Sequence, residues 1–169
     1  MPADKGEFMP RSLILILALL STNAIACPKG AHDERLTLDQ VMLNFGHFLN
    51  PADLAALKGH NNADAVTDAD LANAVTGIAG AIECADAVLG DKSGDLYPPK
   101  YFRLDESARA AYLQLFLSDM DAFRQGLAVY KRDFVALQKT APAKRDFTEV
   151  DSQRQDVDDL ATTAHGDLQ

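Results

Sequence analysis

One amphipathic stretch, residues 105–140, most constrains how this chain can fold. Its large apolar side chains recur at intervals of three and four residues, which places them on one face of an α-helix. The members of this face are Tyr112, Phe116, Met120, Phe123, Leu127, Tyr130, Phe134 and Leu137. At 1.5 Å per residue the helix would span about 54 Å. A face of this length needs several partner helices to bury it. The simpler interpretation is that the whole face is core, and the alternative is that part of it lines the site of a flat hydrophobic ligand.

Three further helices are predicted from apolar periodicity and helix-capping residues. Thr37 and Gln40 form a capping box before the first, in which each side chain bonds to the backbone amide of the other residue. Thr67 and Asp70 precede the second, and the last begins near Thr148. Together with the long central helix, they predict an all-α protein that folds as an antiparallel, up-down-up-down four-helix bundle.

Two segments interrupt the helical pattern. Asn50-Pro51 lies inside the first predicted helix, and proline disfavours helical geometry at the preceding residue while it suits the first position of a new helix. We therefore expect the first helix to be kinked or split near Asn50-Pro51, and Asn50 and Asp53 can cap the second piece. Residues 91–103 contain glycine and two adjacent prolines, and we expect this crossover between the second and third helices to have no regular structure.

The first residues of the chain are typical of a secretory signal peptide. Arg11 precedes an apolar run over residues 13–20, which is too short to cross a bilayer, and small residues follow it up to Ala26. These features are the same whether translation begins at Met1 or Met9. We therefore expect an exported protein of a bacterial periplasm. Its predicted parts are a signal peptide (1–26), an N-terminal arm (27–36) and the four-helix bundle domain (37–169).

Cys27 and Cys84 are the only cysteines in the sequence. In an oxidising compartment they can form a disulfide that joins the N-terminal arm to the second helix. Alternatively, the segment Ala24-Ile25-Ala26-Cys27 resembles a lipobox, whose cysteine becomes the lipidated first residue of a membrane-anchored lipoprotein. The sequence has no Cys-x-x-Cys-His, which excludes covalent haem attachment, and no Cys-x-x-Cys, which excludes dithiol redox chemistry.

The net charge of −9 excludes two classes of partner. An acidic surface repels nucleic acid and anionic lipid, so we expect no nucleic-acid partner and a membrane contact only through a lipidated Cys27. The charge is compatible with docking to a basic protein, and an ordinary solvated surface explains it equally well.

The sequence lacks the motifs of common enzyme classes. It contains no Gly-rich phosphate loop, no Gly-x-Ser-x-Gly, no His-Glu-x-x-His and none of the Glu-x-x-His pairs of di-iron bundles. No two of its four histidines are three or four residues apart, so we expect no helical zinc or copper site. We therefore predict that the protein is not an enzyme.

Met42 and His165 are the candidate ligands of a haem iron. Met42 lies on the apolar face of the first helix, and His165 is four residues from Ala161, or about 40° around the last helix. These helices are antiparallel neighbours in the predicted bundle, so the start of one lies beside the end of the other. A thioether and a neutral imidazole would close both iron positions, which suits electron transfer. The alternative is that Met42 fills space in the core and His165 is solvated.

The other three histidines are poorer candidates for an interior site. His32 precedes the first helix and His60 lies in a polar loop, so both are expected at the surface. His47 is five residues from Met42, about 140° around the same helix, and we therefore do not expect bis-histidine ligation.

Several segments resemble the soluble cytochrome b562 family of bacterial periplasms. They are Leu38-Asp-Gln-Val-Met42, Pro98-Pro99-Lys100, Phe116-x-x-x-Met120-x-x-Phe123-x-x-x-Leu127-Ala128 and Leu160-Ala-Thr-Thr-Ala-His165-Gly-Asp-Leu168. The resemblance implies an exported four-helix bundle that binds haem b noncovalently for electron transfer, with Met42 and His165 as axial ligands. The competing hypothesis is a non-catalytic periplasmic lipoprotein, adaptor or inhibitor that acts through protein–protein contacts without haem.

Overall fold

The computed structural model describes residues 27–28 and 35–166, the last two of them for the backbone alone. The described residues form five α-helices and no strand. The helices are α1 (Leu38–Asn61), α2 (Asp68–Leu89), α3 (Pro99–Arg103), α4 (Glu106–Lys139) and α5 (Thr148–Gly166). Short 3-10 turns at Ala63–Ala65 and Pro142–Lys144 lie in the α1–α2 and α4–α5 connections. The all-α prediction is confirmed, and the predicted signal peptide lies outside the described residues.

The long amphipathic stretch folds as predicted. The side chain of Asp105 caps the N-terminus of α4 by accepting a hydrogen bond from the amide of Ala108 at 2.9 Å, and the helix ends before Thr140. Every member of the predicted apolar face except Tyr112 is buried, and Tyr112 is half-buried. The capping boxes at Thr37 and Thr67 are also present. Local sequence therefore accounts for where these three helices begin.

The prediction of four helices is wrong, because the crossover contains a fifth, α3. Pro98 is its N-cap and Pro99 its first residue, where the fixed proline backbone angle favours a helical turn and the missing amide is not needed. The rings of Tyr97 and Tyr101 meet edge to face with centroids 5.0 Å apart, and the turn packs against α4. Residues 91–103 are therefore not wholly irregular.

The first helix is not split at Pro51. α1 continues from Leu38 to Asn61 with Pro51 in its interior, so the alternative of two separate helices is wrong, whereas a bend at Pro51 stays a prediction. Leu49 and Ala52, on either side of the proline, are both buried in the core. Because this packing is continuous, it offsets the one helical hydrogen bond that proline cannot donate.

The four long helices surround one core. α1 packs on α2 and α5, and α4 packs on the same two helices. The largest side chains that are fully buried belong to all four, and they include Val41, Leu71, Ile78, Phe116, Tyr130, Phe134 and Val157. α2 is long and apolar enough to cross a membrane, but half of its apolar window is buried inside the protein. We therefore interpret it as a core helix.

α1 and α2 approach closely at two glycines of α2. A Cβ atom placed on Gly77 would lie 2.1 Å from the carbonyl oxygen of Phe48, and one on Gly80 would overlap the Phe48 ring. Both glycines are buried. The absence of side chains at these positions lets the two helix backbones come together, so the spacing of α1 and α2 depends on Gly77 in particular.

A buried arginine, Arg145, connects the end of α4 to the start of α2. The side chain of Arg145 donates hydrogen bonds to the carbonyl oxygens of Leu137, Thr140 and Val66, and it forms an ion pair with Asp68 at the start of α2. Only 8% of Arg145 is exposed. The guanidinium therefore satisfies carbonyl groups at the end of α4 and links them to the α1–α2 connection.

Cys27 and Cys84 are joined by a disulfide bond. The bond attaches the N-terminal arm to the buried side of α2, where Cys84 is fully enclosed. The side chain of Asn44 on α1 adds a hydrogen bond to the carbonyl oxygen of Pro28 at 2.8 Å. A Cys27 sulfur in this bond is not available for the thioether of a lipoprotein.

Candidate ligand-binding cavity

A cavity of about 450 Å³ lies between α1, α4 and α5. This volume falls in the range of small-molecule sites, roughly 300–1,000 Å³. Its α1 wall consists of Met42, Phe45, Gly46, Leu49 and Asp53, and its α4 wall of Met120 and Phe123. Asp158, Ala161, Thr162 and Ala164 complete the cavity from α5. The site is mainly apolar, with two carboxylates among its lining residues.

Helical periodicity brings the α1 residues to the same wall. From Met42 to Asp53 they follow one another at intervals of three and four, apart from the adjacent pair Phe45 and Gly46. Across the cavity, the rings of Phe45 and Phe123 meet nearly at right angles with centroids 5.0 Å apart. This edge-to-face contact connects the α1 and α4 walls and fixes the orientation of both rings.

Asp53 is an acidic residue in an otherwise apolar wall. Burial is the largest cause that raises its pKa from the ordinary 3.8 to about 6, and the nearby negative charge of Asp158 raises it further. Arg154 and a long hydrogen bond from the Tyr130 hydroxyl, at 3.5 Å, act in the opposite direction. The pKa of Tyr130 is in turn raised, first by burial and then by Asp53.

Arg154 does not neutralise Asp53 on its own. Its Nε lies 3.3 Å from Asp151 and its Nη1 lies 3.1 Å from Asp158, so one positive charge is shared among several carboxylates. Near pH 6 both the neutral and the ionised form of Asp53 are therefore populated, which gives this wall of the cavity a charge that depends on pH.

Asp53→Asn is expected to stabilise the ligand-free protein at pH 7 by about 1 kcal/mol. The pKa of Asp53 is higher in the folded state than in the unfolded state, so the folded state binds the carboxyl proton more tightly. The stabilisation from this bound proton is lost as pH rises from about 4 to about 6. The expected 1 kcal/mol is smaller than the full rise in the pKa of Asp53 would give, because Asp53 is only half-buried and solvent screens its charge. Urea denaturation between pH 4 and pH 7 should show the difference shrinking towards pH 4; an equal effect at both pH values would contradict it.

The structure places one of the two predicted haem ligands in the cavity. Met42 is half-buried in the α1 wall. His165 belongs to the last turn of α5, directly after the lining residue Ala164, but its side chain lies outside the described residues. The pairing of Met42 with His165 therefore stays a prediction.

The remaining histidines do not reach the cavity where the structure describes them. His47 is exposed, as expected from its angle on α1. His60 is also exposed, and its Nδ1 lies 3.2 Å from a carboxylate oxygen of Asp151. His32 lies outside the described residues. Within the described part of the chain, no three His, Cys, Asp or Glu side chains come together as a metal site; a haem iron needs only two protein ligands.

Sequence reasoning missed the acidic end of the cavity. The sequence suggested Asp53 as the cap of a second helical piece, but α1 is continuous and Asp53 lies inside it. The available signal was its spacing: Asp53 follows Leu49 by four residues and so shares the face of Met42. An acid on an apolar helical face is a reason to expect a site.

Comparisons with known proteins give no match to this chain among family models, curated proteins or solved structures. The fold and the site together define the class: an all-α protein with a mainly apolar cavity between three long helices. A fold of this class serves many functions, so the chemistry of the cavity is what indicates the function of this protein.

Proposed function

We propose that this is an exported haem b protein that transfers electrons in the periplasm and is similar to cytochrome b562. The observation that carries the proposal is the cavity between α1, α4 and α5, which has the Met42 thioether in its wall and aromatic side chains beside it. A thioether is an established haem ligand, and apolar walls exclude the water that would compete for the iron.

The proposal also includes the direction and order of the four long helices. We propose that α1, α2, α4 and α5 form an antiparallel, up-down-up-down four-helix bundle with α3 in its crossover. Each long helix packs on its neighbours in the chain, and α1 also packs on α5, which closes the ring of contacts. In this arrangement the start of α1 lies beside the end of α5, so Met42 and His165 would be at similar heights.

The apolar walls of the cavity and the Met42 thioether suit a haem. Met42 and His165 would hold the iron, and Phe45, Leu49 and Phe123 would pack against the apolar ring. Bound haem supplies a one-electron couple. The chain supplies the ligands, orients the ring and keeps water away, and two closed positions favour electron transfer over ligand chemistry. The −9 charge would favour a redox partner with a basic surface.

Haem titration of the purified mature protein tests this function. We expect a low-spin Soret spectrum with the unchanged protein. His165→Ala should abolish the low-spin complex, and Met42→Ala should leave a weaker, high-spin complex with an open position. His47→Ala is the matched control, because it removes an exposed imidazole from α1 and should leave the spectrum unchanged.

Two results would contradict the proposal at different levels. Protein that stays colourless and fails to bind haem would overturn the function and favour an adaptor or inhibitor that acts through protein contacts. An unchanged low-spin spectrum in His165→Ala would keep haem binding but assign the ligand to another histidine.

A further inference from the structure

Resting on the proposed haem site, we propose that protonation of the Asp53 carboxyl is linked to reduction of the bound haem. Asp53 would thereby make the redox potential of this protein respond to pH. It is not an iron ligand: it lies eleven residues after Met42, about 16 Å further along α1. Its role would be to hold a proton in the wall of the same cavity.

The position of Asp53 supports the link. Its side chain lines the cavity together with Leu49 and Met120, so Asp53 would share the cavity with the haem without touching the iron, and it is already half removed from water. The charged and titratable groups around it come from the two facing helices: Tyr130 from α4, and Asp158 and Arg154 from α5. None of these supplies a full positive charge to Asp53, since Arg154 is shared with Asp151 and Asp158.

The sign of the effect follows from the charge balance. Reduction takes one electron from an external one-electron donor and adds one negative charge to the cavity. The ionised carboxylate then binds a proton from solvent more tightly, so the protonated fraction of Asp53 rises on reduction, by less than one proton per electron. At about 16 Å and an effective dielectric constant of 20, one charge changes the proton affinity of the carboxyl by roughly fivefold. Because the carboxyl already titrates near pH 6, the effect falls in an accessible pH range.

A spectroelectrochemical titration of the holoprotein from pH 4.5 to pH 8 tests the link. In the unchanged protein we expect the potential to fall as pH rises through about 6. A fivefold change in proton affinity corresponds to a total change of about 40 mV for one electron. Asp53→Asn should remove this component and give a higher potential at pH 7, because a negative charge is lost.

Asp156→Asn is the matched control, because it removes the same charge from an exposed position on α5 that does not line the cavity. It should keep the pH dependence of the unchanged protein. Haem propionates also titrate, but they are present in all three proteins, so the difference between Asp53→Asn and Asp156→Asn isolates Asp53.

The carboxyl ¹³C shift of Asp53 gives a second measurement that needs no variant. Its midpoint pH should be higher in the reduced holoprotein than in the oxidised one. Equal midpoints, or an Asp53→Asn protein with the original pH dependence, would overturn the link while haem binding stands. Absence of a haem spectrum in the unchanged protein would overturn the function itself, and the link with it, so the two failures are distinguishable.

Discussion

Gly77→Ala is expected to lower the free energy of unfolding by about 3 kcal/mol, near the upper end of the usual range for overpacking. The new methyl group would lie 2.1 Å from the carbonyl oxygen of Phe48, which is backbone and cannot rotate away. α1 and α2 would have to separate, and the packing around Leu49 and Ile78 would loosen with them. Chemical denaturation followed by circular dichroism at 222 nm measures the loss.

Gly46→Ala is the matched control in the ligand-free protein. Gly46 lies in the middle of α1 and is exposed to solvent, and a Cβ atom added there would have no other atom within 4 Å. Alanine there should stabilise the protein by about 0.5–1 kcal/mol, because it restricts the unfolded chain without a clash. If Gly77→Ala were as well tolerated as Gly46→Ala, the close approach of α1 and α2 would be wrong.

Removal of the Cys27–Cys84 bond by the double substitution Cys27→Ala and Cys84→Ala should cost about 4 kcal/mol. The bond joins residues 57 positions apart, and its loss restores conformational freedom to a long segment of the unfolded chain. The folded state should change little, since alanine leaves only a small gap at the enclosed Cys84 position. Thermal and urea denaturation both measure the effect.

The effect of a reductant on stability is the control for the disulfide prediction. Addition of dithiothreitol should lower the stability of the unchanged protein towards that of the double variant and should leave the variant itself unaffected. A loss below about 1 kcal/mol, or the same reductant response in both proteins, would show that the bond does not constrain the arm.

The helices were predictable where local chemistry and packing agree. In α4 the apolar period, the Asp105 cap and the length all indicate the same helix, and the observed bounds, Glu106–Lys139, differ from the predicted 105–140 by one residue at each end. At Pro51 local chemistry and packing disagree: the local rule predicted a kink or a split, but core packing continues α1 through the proline. At Pro99 a local preference was overlooked, because proline suits the first position of a helix although the segment was predicted to be irregular.

The candidate site was predictable only in part. Met42 was identified because a methionine on an apolar helical face is visible in the sequence, and it does line the cavity. Asp53 was misassigned as a cap, because its role depends on whether α1 continues past Pro51 and on which α5 residues lie opposite. The charge of Asp158 and the sharing of Arg154 are contacts between helices that no spacing rule within one helix contains.

The sequence by itself determined that this chain is helical, where its long helices begin and which face of α4 is buried, because these properties depend on residues within a few positions of one another. Tertiary structure alone decided the close approach at Gly77, the buried position of Arg145 and the cavity with its acidic end. Each of these depends on the distance between helices, and that distance is set by packing of side chains and glycines from separate segments.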